Sequence, residues 1–183
     1  MQIPLGSLKD KKMISSDAYE VGEIIDIRYD PFERNVVGLR IRTKRSEMLA
    51  AGSRKTTLLI LPENFILNDV LLLNRPIEAL KDAVSPDNDN IASLSSLISS
   101  KVVTKDNQLV GTVTTVMINI DTWKVSSLVI RLDKGAIEAM KMKKGFFSKI
   151  NAEIGTEMIL SSSDMIHLNG NMDDIRERMT IVE

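Results

Sequence analysis

The chain contains itself twice. Displaced by 89 positions, Leu5–Arg42 lies on Leu94–Arg131 without a gap, and 11 of the 38 pairs are identical. Random pairing, at roughly 6–7% identity from average residue usage, would give about two or three. The identities include Lys12/Lys101, Asp17/Asp106, Val21/Val110, Gly22/Gly111, Leu39/Leu128 and Arg42/Arg131. Ile14/Val103, Ile24/Val113, Ile27/Val116 and Asp30/Asn119 differ conservatively. A repeat of this length predicts a duplicated small domain.

At 183 residues the chain has room for one domain or two small ones, and the repeat favours two. We expect a first unit over 1–84, a linker over 85–91 and a second unit over 92–183. The linker carries SPDNDN, which reads as a stretch with nothing to bury. Units of about 80–90 residues have a poor surface-to-volume ratio and gain by packing on one another. That predicts either an intrachain pseudo-twofold pair or a homodimer. Zero cysteines excludes disulfide and thiol chemistry. The absence of a long apolar run or an apolar leader leads us to expect no transmembrane segment, no secretory signal and a cytoplasmic location. Net charge is −1, without the basic excess usual in proteins that live on phosphate backbones.

The repeated segment reads as β. In Val21–Tyr29 the residues Val21, Ile25, Ile27 and Tyr29 alternate with Asp26 and Arg28, with Ile24 as the exception. Val37, Leu39 and Ile41 alternate in the next strand, and the second unit repeats both patterns. Residues 30–35 and 119–124 are turn-rich hairpin connections. Gly22 and Gly111 interrupt strands at the same place, which predicts a bulge, a bend or a close backbone approach. Short helical insertions are expected at 46–51 and 136–144, each ended by Gly. Strands follow at 57–61 and 157–160, an offset near 99, and at 68–73. Terminal helices are expected at 76–83 and 173–179.

The Asp-x-x-x-Val-Gly turn (Asp17, Val21, Gly22; Asp106, Val110, Gly111), the hairpin strands and the closing Leu61–Asn64 and Asn68–Leu73 motifs resemble the PRC-barrel family. That family takes its name from the photosynthetic reaction centre H subunit and includes the C-terminal domain of the ribosome-maturation factor RimM. In the second unit Ser161–Asp164 depart from the pattern. The resemblance implies a mainly β fold of two tandem small barrels, each with a short helical insertion, and Gly22, Gly111, Asp17 and Asp106 as fold-defining residues. The tandem arrangement is most similar to archaeal members. Some of those serve in cell division by binding SepF, the membrane anchor of the FtsZ ring, which would recruit the chain to the division site. An RNA- or ribosome-associated role, by analogy with RimM, is the alternative.

The residues themselves offer little for catalysis. His167 is the single histidine, no P-loop is present, and no nucleophile–base pair suggests itself. We therefore expect a non-enzyme without catalytic residues, metal or cofactor. A basic strip, Arg40, Arg42, Lys44, Arg45, Arg54 and Lys55, is the candidate phosphate track, against the plainer reading of a solvated face. Phe32 and Trp123 lie near hairpin tips, either folded back on the barrel or projecting as partner anchors. Ile24, Met117 and Val129 are expected on the outer face as apolar contact surface. Phe146 and Phe147 close the second insertion, as core packing or as part of a basic amphipathic segment.

Overall fold

The computed structural model describes residues 1–49, 57–142 and 149–182. In chain order the elements are β1 (Gln2–Pro4), β2 (Lys12–Ile14), β3 (Glu20–Tyr29), β4 (Val36–Arg42), β5 (Thr57–Ile60), β6 (Phe65–Leu67), β7 (Leu71–Leu73), α1 (Ile77–Leu80), β8 (Val84–Pro86) and β9 (Ala92–Ser93). There follow β10 (Lys101–Val103), β11 (Leu109–Asn119), β12 (Lys124–Leu132), α2 (Lys134–Ala139), β13 (Asn151–Gly155), β14 (Ile159–Ser162), β15 (Met165–Leu168), α3 (Met172–Arg178) and β16 (Thr180–Val182). Among the described residues the strands form two sheets of eight.

The first compact unit is Gly6–Ser95, and the second joins Met1–Leu5 to Ser96–Glu183. In the first, the sheet runs β6-β7-β2-β3-β4-β5-β8, with β9 added to β3. In the second it runs β14-β15-β10-β11-β12-β13-β16, with β1 added to β11. The two orders are the same. The added strands, however, are exchanged with respect to the repeat. Pro4 pairs Met117 in the second unit, and Ser93, 89 positions after Pro4, pairs Arg28 in the first. Each unit thus holds the opening strand of the other repeat.

A long bent strand makes this possible. One end of β3 pairs with β2 and the other with β9; β11 does the same with β10 and β1. The bending comes from bulges, which insert an unmatched residue and increase local twist. In the first unit the extra residues are Val21, Ile25 and Val37; in the second they are Val110, Thr114 and Ser126, each 89 positions on. Gly22 and Gly111 sit beside the first bulge. A Cβ on Gly22 would lie 2.6 Å from the carbonyl oxygen of Arg42, and one on Gly111 closer still to that of Arg131. Both the expected bulge and the expected close approach are present.

The turns are duplicated as well. Asp10 and Ser99, Ala18 and Asn107, and Arg34 and Trp123 all take positive φ, and each pair is 89 apart. Buried Ser15 accepts from the Tyr19 amide with its hydroxyl, as buried Thr104 does from that of Gln108. Asp30 caps its hairpin by accepting from the amides of Phe32 and Glu33, and Asn119 accepts from those of Asp121 and Thr122.

Several expectations change. Neither sheet closes into a barrel: the described paths end at β6 and β8, and at β14 and β16, without a ladder joining the ends. These end strands have three or four residues, so each offers few groups for a closing ladder. Ile24 is fully buried. The bulge at Ile25 makes Ile24 pair with Ile41 while Ile27 pairs with Leu39, so residues three apart share the core face. Strand β13 was not foreseen, because NAEIG offers only Ala152 and Ile154 as apolar, inward-facing residues. Ile60 and Ile154 meet the repeat-equivalent Leu39 and Leu128, so the later offset is 154 − 60 = 94 rather than 99.

The segment 85–91 also does more than link. Residues 84–86 form β8 against β5, and Asp87 is buried. The insertion at 46–51 is described as a single 3-10 turn, Ser46–Met48, and residues 50 and 51 lie outside the described residues. The second insertion is α2, capped by Asp133 accepting from the Gly135 amide. The terminal helices are α1 and α3, the latter closed by an Asn171–Asp174 capping box.

Candidate interaction surface

Asp26, Arg28 and Arg40 lie on the face of β3 and β4 turned away from the core, where an antiparallel sheet ordinarily meets water. Here the connection after β8 covers them. Arg28 donates from Nε to Asp87 Oδ1 at 3.0 Å and from Nη2 to Asp87 Oδ2 at 3.2 Å. Its remaining donors reach Asp89 Oδ1 at 3.2 Å and the Ile91 carbonyl at 3.2 Å. Asp26 accepts from the hydroxyls of Ser93 and Ser95. Arg40 Nε stands 2.7 Å from Asp87 Oδ2 as a charge contact without hydrogen-bond alignment. The hydrogen bonds that Arg28 donates to Asp87 raise its guanidinium above the usual range, against the opposing effect of burial. A bidentate pair of this kind fixes geometry as well as charge.

The second unit carries no such cluster at the equivalent positions. Asp26, Arg28 and Arg40 become Thr115, Met117 and Val129, 89 positions on, and all three are half-buried. Met117 and Val129 are therefore less exposed than expected, with β1 laid beside Met117.

The basic strip dissolves into separate tasks. Arg40 is paired with Asp87 as above. Arg45 donates from Nε to the Glu20 carbonyl at 2.6 Å, pairs with Glu47 at 2.7 Å, and its guanidinium lies 4.9 Å from the Tyr19 ring centre. Of the strip's described members, Arg42, opposite Glu23 in the strand register, and Lys44 are the exposed ones. Arg54 and Lys55 lie outside the described residues, as do Phe146 and Phe147.

The hairpin-tip aromatics separate too. Phe32 is 93% exposed, on a turn fixed by Asp30. Trp123 is half-buried in a left-handed conformation, the place that Arg34 holds in the first repeat. Asp17 accepts from the Ser15 hydroxyl at 2.6 Å and from the Ile77 amide at 3.0 Å, so it caps α1 from a distant turn. Its carboxyl is held below the ordinary range, first by the Ser15 bond. Asp106 is exposed in the corresponding turn, and α3 uses its own Asn171 instead.

Among the described residues no group of three or more His, Asp or Glu side chains is placed to hold a metal ion. Their helices include none long and apolar enough to cross a membrane. His167 is half-buried on β15, beside Val103 of β10.

These features place the chain among mainly β proteins whose exposed apolar residues lie on hairpins and sheet edges. Residues 89–168 match the PRC-barrel domain family, so the second repeat carries a PRC-barrel domain. No curated protein matches the chain.

Proposed function

We propose that the chain is a tandem PRC-barrel protein, with residues 6–95 as the first copy, and that it acts as a non-catalytic adaptor for protein partners. The carrying observation is Phe32, a large aromatic almost wholly in solvent on a turn whose backbone is hydrogen-bonded to Asp30. A large aromatic projecting from a turn is a common interface anchor, because burying it removes much apolar area from water. Ion pairing of Arg40 and Arg45 removes two members of the phosphate track, which further favours protein over RNA. The resemblance to archaeal members makes the SepF–FtsZ division machinery the specific partner system to test.

The test is affinity capture with the full chain at about 300 mM salt under nuclease, where phosphate-driven binding is weak. We expect defined protein partners whose recovery falls with Phe32→Ala. Recovery of ribosomal proteins or RNA that disappears with nuclease and salt would overturn the adaptor reading and favour the RimM-like alternative.

A further inference from the structure

One row of outward residues differs between the two units in a way that leaves charges without partners. In the first unit Lys12 lies opposite Glu23, Glu23 opposite Arg42 and Arg42 opposite Thr57, across β2, β3, β4 and β5. In the second unit the row is Lys101, Thr112, Arg131 and Asn151, across β10, β11, β12 and β13. Cross-strand partners share a face. The adjacent Val102, Ile130 and Ala152 are buried in the core, so this row points away from it.

The repeat keeps the cations here and removes the acids. Lys12 and Arg42 recur as Lys101 and Arg131, whereas Asp10, Glu20 and Glu23 become Ser99, Leu109 and Thr112, each 89 positions on. Lys12 pairs with Glu20 at 2.9 Å. Lys101 and Arg131 are exposed and form no ion pair among the described residues. A strand spacing of about 4.8 Å sets their backbones about 10 Å apart, with Thr112 midway. Both side chains are long enough to meet over Thr112, and two like charges there gain from an anion between them.

The surroundings specify the anion. Arg131 and Thr112 line a hollow of about 470 Å³ whose walls include Ser99, Thr114 and Asp133. Thr114 gives its hydroxyl to the Val129 carbonyl. Asp133, at the place of Lys44, accepts from the Gly135 amide at the start of α2. The hydroxyls of Ser99 and Thr112 have no partner among the described residues and remain free to donate. Two cations and two hydroxyls exceed what the single charge of a carboxylate calls for. They match a phosphate monoester, with its charge of about −1.5 to −2 and three acceptor oxygens. The hollow also falls within the usual size of small-molecule sites, about 300–1,000 Å³. We propose that this face of the second unit binds the phosphate monoester of a small molecule, with Lys101 and Arg131 on its charge and Ser99 and Thr112 donating hydrogen bonds.

The site uses no residue of the adaptor reading and stands or falls without it. Its test is titration of the full chain with phenyl phosphate at about 50 mM salt, where surface charge is weakly screened. At a pH of about 7.5 the monoester is mostly a dianion. Amide NMR shifts read the binding, and we expect them to centre on Ser99, Thr112 and Arg131. Phenyl sulfate, of the same shape with one charge, binds at least about tenfold more weakly. Arg131→Gln and Thr112→Glu each weaken phenyl phosphate at least about tenfold. The second change restores the carboxylate that the first repeat carries as Glu23, so the fold should tolerate it. Lys12→Gln, at the matching place in the first unit, leaves affinity unchanged. No saturation by about 20 mM, shifts spread over the cations of both units, equal binding of the sulfate, or indifference to Arg131→Gln and Thr112→Glu overturns the proposal. So does tighter binding of a short RNA or a phosphoserine peptide through the same residues, since the phosphate then belongs to a macromolecule.

Discussion

Arg28 and Asp87 meet through two parallel hydrogen bonds, with both side chains almost completely withdrawn from water. The pair ties the middle of the first unit's sheet to the segment that leads into β9, across 59 positions of sequence. Removing one partner of a buried ion pair leaves the other charge uncompensated. Asp87→Ala should therefore cost about 3–5 kcal/mol of stability. Arg28→Met with Asp87→Leu, which installs the side chain the second repeat has at Met117, should cost much less. Urea unfolding of both variants checks this; equal losses would mean that the charges are not what holds the segment.

Gly22 and Gly111 are predicted to be intolerant of alanine. A Cβ at Gly22 meets the backbone of the neighbouring strand, which is unable to rotate aside as a side chain would. Gly22→Ala and Gly111→Ala should each cost at least about 1–3 kcal/mol, the usual range for overpacking. Gly6→Ala, with no atom within 4 Å of its Cβ, should be near neutral. Thermal unfolding of the three variants decides it, and a harmless Gly111→Ala would contradict the register of β11 and β12.

The exchanged strands make an unusual prediction about truncation. Met1–Leu5 belongs to the second unit, where β1 pairs with Met117–Asn119. Deleting residues 1–5 should speed amide exchange in that part of β11 and leave Arg28 and Tyr29 of β3 protected. Hydrogen exchange read residue by residue distinguishes the two; loss of protection in β3 instead would assign the opening strand to its own repeat.

Acid should act partly through Asp17. Its carboxyl is depressed by the Ser15 hydroxyl and then by the Ile77 amide, so folding favours the ionised form. The resulting stability is fully present above the unfolded value of about 3.9 and is lost as pH falls through the lower folded value. Asp17→Asn should differ from the parent in urea midpoint near neutral pH. The difference should shrink as pH falls from about 3.9 through the lower folded value, where the parent carboxyl protonates in the native state. A gap that stays constant down to about pH 2 would show that the charge is irrelevant to the cap.

How much of this could be read from the chain follows from what is local. The repeat register predicted the duplicated hairpins and the strand glycines, because a turn or a close approach is written in one or two residue types, such as Asp30/Asn119 and Gly22/Gly111. The bulge at Ile25 was not legible, since the alternation of VGEIIDIRY fits more than one register, and so Ile24 was placed on the wrong face. Asp87 looked like part of a polar linker because its partner Arg28 is distant in sequence. The strand exchange is equally silent: β1 and β9 pair with equivalent strands whichever repeat supplies them.

The most direct test of the adaptor account is photo-crosslinking in cells, with a benzophenone amino acid placed at Phe32 and, as a control, at exposed Lys9. The account predicts discrete protein adducts at Phe32 that are absent at Lys9. Adducts to nucleic acid alone, or none above the Lys9 level, would contradict it.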